Sequence, residues 1–228
     1  MKHISILGYG VNAVEHLTLS AIKVLEHSDI VLTLATNAEI ELLSKYCSKI
    51  ISITSLYKDG DVDTNNYYRI FKNTISQLKQ VNNLTLLIPG HPRLGVTLTQ
   101  LFESLADKYQ YTINVLPGIS SFDTMFNDLK VDPLEKGTII IDVNRLLLFQ
   151  YPMNTALDHF LYHICSIGNN KTEFSAPNLN NKVSDLKKYL LQFYSSTKQV
   201  VMIQSQSLNS TKMQLIESSL EDINKLLY

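Results

Sequence analysis

The chain has 228 residues, of which 45% are hydrophobic, so it can bury a core in one compact unit or two small lobes. Its 20 lysine and arginine residues nearly balance 21 aspartate and glutamate residues, and the net charge is -1. This balance supplies no basic stripe for phosphates, so neither nucleic acid nor an anionic membrane is expected as a partner. Cys47 and Cys165 lack metal-ligand spacing, and no long apolar stretch opens the chain, so we expect a cytoplasmic protein.

Strands and helices alternate along the first half of the chain. The apolar patterns predict strands at Ile4 to Leu7, Ile30 to Leu34, Ile50 to Ile53, Leu84 to Ile88 and Tyr111 to Leu116. Helices are expected over Leu17 to Leu25, from a cap at Asn37, over Thr97 to Lys108 and from near Ser120. A polar loop from Lys58 to Asn66 is expected to lead into a further helix, whose apolar stripe includes Tyr67 and Phe71. This alternation predicts an α/β fold in which helices cover a parallel sheet.

The pattern changes after residue 130. Strands are predicted at Ile139 to Asp142, Phe160 to Ile167 and Val200 to Ile203, and the tail from Thr211 to Leu227 has the spacing of an amphipathic helix. We therefore expect an N-terminal α/β lobe over residues 1–130 and a mixed α/β C-terminal lobe over residues 131–228, with a ligand cleft between them.

Three glycine turns follow predicted strands. They are Gly8-Tyr9-Gly10, Pro89-Gly90-His91-Pro92 and Pro117-Gly118-Ile119-Ser120-Ser121. The carboxyl ends of parallel strands share one end of a sheet, and glycine lets backbone donors approach a ligand closely. The turns therefore predict a small-molecule site there, to which Gly8, Gly10, Pro89 and Gly90 contribute.

Other site classes fit less well. A dinucleotide site is disfavoured because no acidic residue stands at the tip of the second strand, and no phosphate-binding loop is present. Ser120 and Ser121 lack a nucleophile elbow, so capping and ligand contact are favoured for them. His159 and His163 are four apart on a predicted strand, too distant to chelate easily, and we expect no metal site.

The order of these motifs resembles the tetrapyrrole methylase superfamily. The segment GYGVNAVEHLTLSAIKVLEHSDIVL is similar to its opening strand, turn and helix, PGHPRLGV stands where its Gly-Asp-Pro loop lies, and LPGISSFDTMFNDLKVDP resembles its Pro-Gly-Ile-Ser-Ser segment. Together these segments span nearly the whole chain. The resemblance implies a two-lobed methyltransferase that uses S-adenosylmethionine and releases S-adenosylhomocysteine, and that forms a homodimer.

Within the superfamily, the stretches LYKDG, MFNDLKVDPLEKG and FLYHICSIGN, and a histidine at position 91, are similar to the borosin methyltransferases, which methylate backbone amides of a ribosomally made peptide. That resemblance implies a donor pocket lined by His91, Leu94, Val96, Thr97, Ser120, Ser121 and His163. It also implies that Tyr57 and Tyr67 face the substrate as catalytic residues.

The sequence departs from the borosin pattern at the tyrosine cluster. Asp63 stands where the resemblance implies an arginine, and Thr54 and Pro89 stand where tyrosines are expected. Amide methylation needs proton removal and a partner for the charge on the carbonyl oxygen, so these changes bear on catalysis. Arg69 lies roughly 200° around an ideal helix from Tyr67 and is not expected to replace the arginine.

The expected substrate is a separately encoded peptide. Two alternatives stay open at this point. A tetrapyrrole or other small-molecule methylase would have an open trough rather than a peptide tunnel. A donor-binding protein that has lost turnover is the other alternative, and it is favoured by Asp63.

Overall fold

The computed structural model describes residues 2–173, 179–206 and 212–227. The chain divides into two compact units, which comprise Met1–Met125 with Ser205–Lys212, and Phe126–Gln204 with Met213–Tyr228. In the described ranges, no helix combines the length and the apolar character that a membrane crossing needs. The division at residue 130 stays a prediction.

A five-stranded parallel sheet forms the centre of the first unit. Its strands are β1 (Lys2–Gly8), β2 (Ile30–Thr33), β3 (Ile50–Ser52), β4 (Asn83–Ile88) and β5 (Tyr111–Leu116). They lie in the order β3-β2-β4-β1-β5, and each neighbouring pair is parallel. All five predicted strands are present, and the α/β prediction is confirmed.

Helices connect these strands. They are α1 (Leu19–Glu26), α2 (Asn37–Leu43), α3 (Asp63–Leu78), α4 (Thr97–Tyr109) and α5 (Ser121–Leu129), with short 3-10 helices at Ala13–His16 and Thr54–Leu56. The predicted cap at Asn37 is wrong by one residue, because Thr36 and Glu39 form a reciprocal capping box. The predicted polar loop up to Asn66 is too long, since α3 begins at Asp63, where an acidic side chain suits the helix N-terminus.

Side chains of the sheet alternate between two hydrophobic clusters. On one face, Ile4 and Ile6 of β1 pack with Phe71 of α3 and Phe102 of α4. On the other face, Leu7 packs in a cluster to which α1 and α2 contribute. The first unit is thus a three-layer α/β/α arrangement, and the carboxyl ends of its strands are left for loops.

The second unit contains two small sheets. Its elements are the parallel pair β6 (Thr138–Asp142) and β7 (Asp158–Tyr162), the antiparallel pair β8 (Gln199–Gln204) and β9 (Gln214–Ser219), the helices α6 (Val143–Phe149) and α7 (Val183–Leu190), and a 3-10 helix at Leu220–Leu227. Its core is built mainly on Val143, Leu146, Leu186 and Leu220. The mixed α/β character expected for this region is observed.

Two predictions for the second unit are wrong. The strand expected to run from Phe160 to Ile167 ends at Tyr162, because His163 takes a left-handed conformation with φ of 62°. The tail helix predicted from Thr211 begins outside the described residues, and residues 214–219 form β9 instead. Strand pairing, which places Ile216 opposite Met202, overrides the helical spacing there.

We predict that Phe102→Ala lowers the free energy of unfolding by about 3 to 5 kcal/mol, because it leaves a cavity in a close-packed core. The Phe102 side chain is fully buried, and its ring centroid lies 5.0 Å from that of Phe71. Urea unfolding measures the change. Leu19→Ala, at a side chain that is 78% exposed, is the control and should change the free energy by less than about 1 kcal/mol. Equal effects of the two substitutions would contradict the assigned core.

Candidate functional site

The carboxyl ends of three neighbouring strands carry turns that meet. β4, β1 and β5 lie side by side, and each leads into one of the glycine turns. Beyond the parallel strands, Gly10 and Gly90 form an antiparallel bridge, in which the Gly90 amide donates to the Gly10 carbonyl at 3.0 Å and the Gly10 amide donates to the Gly90 carbonyl at 3.4 Å. The structure therefore brings together turns that are about 80 residues apart in the chain.

The third turn packs against the other two. A methyl group on Gly118 would lie 2.7 Å from the Gly90 carbonyl oxygen and 2.8 Å from the Gly8 carbonyl oxygen, closer than real side chains approach. Gly90 has a φ of 67°, and no atom lies within 4 Å of where its side chain would begin. The joined turns are thus tightly packed at Gly118 and open at Gly90, where backbone groups can meet a ligand.

A histidine organises the first turn. The Nδ1 atom of His16 accepts hydrogen bonds from the amides of Val11 at 3.2 Å and Asn12 at 3.1 Å. Because Nδ1 accepts both bonds, the neutral ring carries its proton on Nε2. Gly10 has a φ of 79° and passes so close that a methyl group there would meet the His16 Cβ at 2.2 Å. His16 therefore fixes the path of the chain directly after the turn.

The second turn leads into α4. The amide of Arg93 donates to Nδ1 of the half-buried His91 at 3.1 Å, and the Thr99 hydroxyl donates to the Pro92 carbonyl at 2.5 Å. The other residues implied as donor contacts here are Leu94 and Val96, which are half-buried, and Thr97 and Pro89, which are exposed. Pro89, Leu94 and Val96 lie on the connection between β4 and α4, which also contains Gly90, and Thr97 begins α4.

Ser120 caps α5. Its hydroxyl accepts from the Asp123 amide at 3.2 Å, and the Asp123 carboxylate accepts from the Ser120 amide at 2.7 Å. Burial works to raise the pKa of Asp123, but the hydrogen bonds from the Ser120 hydroxyl and amide outweigh it and hold that pKa below its usual value. The structure supports the predicted capping role of Ser120, and Ser121 begins the helix.

Tyr57 and Tyr67 form a pair. The Tyr57 hydroxyl donates to the Tyr67 hydroxyl at 3.5 Å, and the ring centroids are 6.0 Å apart. Burial, followed by the hydrogen bond from Tyr57, raises the pKa of Tyr67 well above its usual value of 10.0. Tyr67 is therefore a neutral hydrogen-bonding group near neutral pH.

The tyrosine pair and the glycine turns belong to the same end of the sheet. Tyr57 follows β3, which is separated from β4 by β2 alone. Two strand spacings amount to about 10 Å, so the tyrosine loop begins about that far from the β4 turn. This separation is small enough for one elongated ligand to reach both features.

Asp63 occupies the position at which the borosin resemblance implies an arginine. Asp63 begins α3, one turn before Tyr67, and its charge helps to raise the pKa of Tyr67. Arg69 is engaged elsewhere, donating from Nε to the Leu56 carbonyl at 3.1 Å and from Nη1 to Asp61 at 2.6 Å. These contacts engage the Arg69 guanidinium at the Tyr57 loop, and the effect of Asp63 on catalysis stays a prediction.

His163 lies in the second unit, where its Nδ1 atom is hydrogen-bonded to Asp142. Asp142 also accepts from the Arg145 amide at 2.9 Å and thereby caps α6. Burial works to raise the pKa of Asp142, but the bonds from His163 and Arg145 lower it overall. The pair stands at the carboxyl ends of β6 and β7, and the role of His163 toward a donor stays a prediction.

His159 lies on β7 with its Nδ1 atom 3.1 Å from the Leu157 carbonyl oxygen and 3.2 Å from the Tyr194 hydroxyl. In the ranges that the structure describes, His, Cys, Asp and Glu side chains form no group of three that could hold a metal ion. The geometry thus gives His159 a local structural role.

Sequence reasoning missed several residues that shape the site. They are His16, Asn66, Arg69 and Asp142, whose hydrogen bonds form in the fold and are not marked by any sequence motif. Asp123 could have been found, since a serine followed three residues later by an acidic residue is typical of a capped helix start.

We predict that Gly118→Ala separates the three turns, because its methyl group cannot fit between the Gly8 and Gly90 carbonyl oxygens. The melting temperature should fall, and binding of S-adenosylmethionine, the donor that the sequence implies, should weaken by at least about tenfold in calorimetry, equivalent to about 1.4 kcal/mol. Gly60→Ala is the control, since its methyl group meets no atom within 4 Å and introduces only left-handed backbone strain. Unchanged donor affinity in Gly118→Ala would contradict the assigned donor turns.

Known proteins resemble this chain in sequence. A type II borosin cyclic peptide precursor with a methyltransferase, from Phlebiopsis gigantea, is 26% identical over 187 residues, which are 81% of this chain and 34% of that protein. A type I counterpart from Coprinopsis marcescibilis is 25% identical over 173 residues, 75% of this chain and 44% of that protein. The chain thus spans less than half the length of these curated relatives.

Solved structures resemble its fold. Uroporphyrin-III-C-methyltransferase from Thermus thermophilus superposes with a TM-score of 0.64 at 16% identity, covering 99% of this chain and 86% of that one. The enzyme complexed with S-adenosylhomocysteine gives a TM-score of 0.63 at 13% identity, covering 99% and 92%. The family description of the tetrapyrrole (corrin/porphyrin) methylases matches residues 3–223. With nearly its whole length matched, the chain belongs to the tetrapyrrole methylase family.

Proposed function

We propose that this chain transfers a methyl group from S-adenosylmethionine to a backbone amide of a separately encoded peptide, as a homodimer. The observation that carries the proposal is the pairing of two features at one end of the sheet, the joined glycine turns and the tyrosine pair. The relatives named as borosin precursors support the choice of a peptide as acceptor.

The glycine turns fit the proposed donor. The Gly90 backbone is open on the side where a side chain would stand, and the buried Ser120 keeps its capping geometry beside the third turn. Bound S-adenosylmethionine would supply a methyl group on a positively charged sulfur and leave as S-adenosylhomocysteine. The chain's own contribution to the donor would be mainly shape and alignment, with His91, Leu94 and Val96 beside the turn.

The acceptor makes the harder demand. The amide proton must first pass to solvent water, which places negative charge on the carbonyl oxygen, and this charge is consumed as the nitrogen–methyl bond forms and the sulfur–methyl bond of the donor breaks. The Tyr67 hydroxyl, which accepts from Tyr57 and stays protonated, is suited to donate a hydrogen bond to that oxygen, and Tyr57 would hold this hydroxyl in place. Asp63, one helical turn before Tyr67, would oppose such charge, so turnover on amides is expected to be slow.

Asp63 also motivates a second candidate function. A carboxylate near the tyrosine pair disfavours an anionic intermediate, whereas donor binding requires no such intermediate. A protein that binds the donor without turnover would keep the glycine turns intact. A tetrapyrrole methylase is a third possibility, supported by the likeness to uroporphyrin-III-C-methyltransferase.

One pair of measurements separates these functions. Calorimetry with S-adenosylmethionine and S-adenosylhomocysteine measures donor binding, and mass spectrometry then follows methylation of peptides and, separately, of a tetrapyrrole. A gain of one methyl group on a peptide amide supports the proposal. Donor binding without mass gain on any peptide contradicts it, and methylation of the tetrapyrrole alone would replace it.

We predict that Tyr67→Phe lowers kcat on the methylated peptide about a hundredfold, the typical effect of losing one donor to a developing oxyanion. The dissociation constant of S-adenosylmethionine should stay unchanged. Tyr68→Phe is the matched control, because Tyr68 is the neighbouring residue and is 48% exposed. Equal rates for the two variants would exclude a catalytic role for Tyr67.

The pH dependence provides a further test of Tyr67. Since its pKa is raised, the phenol stays protonated and able to donate at pH values where an ordinary tyrosine ionises, near pH 10. The rate should therefore show no loss assignable to Tyr67 up to about pH 10. A decline there that disappears in Tyr67→Phe would contradict this assignment.

A further inference from the structure

The backbone on both sides of Tyr57 is held by α3. Asn66, which is fully buried, accepts a hydrogen bond from the Lys58 amide at 2.8 Å and donates one to the Lys58 carbonyl at 3.0 Å. Arg69 donates from Nε to the Leu56 carbonyl at 3.1 Å. The peptide groups directly before and after Tyr57 are therefore fixed by two side chains of one helix.

The same two side chains bind each other and a third. The Arg69 guanidinium donates to the Asn66 amide oxygen and, at 2.6 Å, to Asp61. Asp61 also accepts from the Asn65 side chain at 3.0 Å and from the Val62 amide at 2.8 Å. Hydrogen bonds from Asn65 and then Arg69 lower the pKa of Asp61 to about 2, so its carboxylate is ionised throughout the neutral range.

We propose that Asn66 and Arg69 are positioning residues that hold the Tyr57 hydroxyl against Tyr67 for methyl transfer. This proposal rests on the proposed function, since it concerns the acceptor side of the same site. It assigns Arg69 a role in shaping the loop rather than in meeting the substrate. We call this group of Asn66, Arg69 and Asp61 the loop clamp.

Stability alone does not account for the loop clamp. The Arg69 and Asp61 side chains are 28% and 30% exposed, and partly exposed ion pairs of this kind contribute little to folding. Burying the amide of Asn66 costs desolvation free energy, which its hydrogen bonds only offset. The gain from these bonds is therefore mainly a fixed backbone position rather than stability. The segment it holds includes exposed residues at 58–60 and a glycine with a φ of 74°. The clamp therefore fixes a loop that has few buried contacts of its own beyond Leu56 and Tyr57.

The first test needs no substrate. The protein is labelled with 13C at the ring carbon that bears the tyrosine hydroxyl, and the Tyr57 and Tyr67 signals are assigned with the two Tyr→Phe variants. In the otherwise unchanged chain, Tyr57→Phe should shift the Tyr67 signal, because the hydroxyls are hydrogen-bonded. When the chain also carries Arg69→Met, Tyr57→Phe should no longer shift the Tyr67 signal. The melting temperature of this variant should stay high enough for the protein to be folded during the measurement.

The matched control is Lys72→Met, which removes an exposed cation from the same helix, one turn further on. It should leave the Tyr67 response intact. Asp61→Asn is a second variant, which removes the carboxylate charge that pairs with Arg69 but keeps an oxygen for the Val62 amide, and it should reduce the response. It decides the question if Arg69→Met does not fold.

The second test uses the peptide identified by the mass-spectrometric screen. Arg69→Met should lower kcat up to about a hundredfold, the scale of a misplacement of about 1 Å, with the S-adenosylmethionine affinity unchanged. Arg69→Lys should recover part of the loss, since lysine can reach one acceptor but not bridge three. A loss of donor affinity in parallel with kcat, or no rescue by lysine, would point to a structural role and overturn the proposal.

The two proposals can fail separately. If no peptide is methylated, the proposed function fails and the nuclear magnetic resonance test alone decides the loop clamp. If a peptide is methylated and the Tyr67 signal still responds to Tyr57→Phe in a folded Arg69→Met protein, the loop clamp is refuted while the function stands.

Discussion

The candidate site depends on the direct contact of backbone with backbone at the carboxyl end of the sheet. Three turns approach more closely there than any side chain would permit, and the Gly8 and Gly90 carbonyl groups occupy the space that a methyl group on Gly118 would need. Because protein interiors are close-packed, a change in volume of even one methylene at this point would displace all three connections. The absence of side chains at these glycines therefore allows the three turns to pack together and form one side of the candidate site.

The bridge between Gly10 and Gly90 gives these turns a shared geometry. It lies beyond two parallel strands yet is antiparallel, so the chain after β1 folds back toward the chain after β4. His16 then secures the first turn through two backbone amides. The polar groups of this irregular backbone are thus satisfied locally, which preserves a defined shape in a segment without helix or strand.

The first unit was largely predictable from sequence, whereas the second was predictable only in part, with β6 and β8 expected and the ends of β7 and the tail misjudged. Buried parallel strands carry continuous apolar runs such as those of β2 and β4, whose lengths limit the alternatives. The apolar run after β7 misled because one left-handed residue, His163, ends the strand without a glycine to signal it. The β9 segment misled because its apolar residues also fit a helical spacing, and only its pairing with β8 decides the conformation.

The site divides in the same way. Glycine turns at strand ends are visible in a sequence because glycine marks unusual backbone, so their convergence could be predicted. The partners of Tyr57 could not, since Asn66 and Arg69 act through backbone groups of Leu56 and Lys58 that have no identity in the sequence. Only the fold reveals that one helix face supports the loop.

The tyrosine loop and the glycine turns come from separate stretches of chain. Tyr57 follows the edge strand β3, whereas the turns follow the three adjacent strands β4, β1 and β5, which β2 separates from β3. Insertions or exchanges at β3 would therefore leave the glycine turns undisturbed. Sequence changes in the tyrosine loop could thus alter what that loop contacts while the glycine turns keep their geometry, so the two halves of the candidate site can diverge separately.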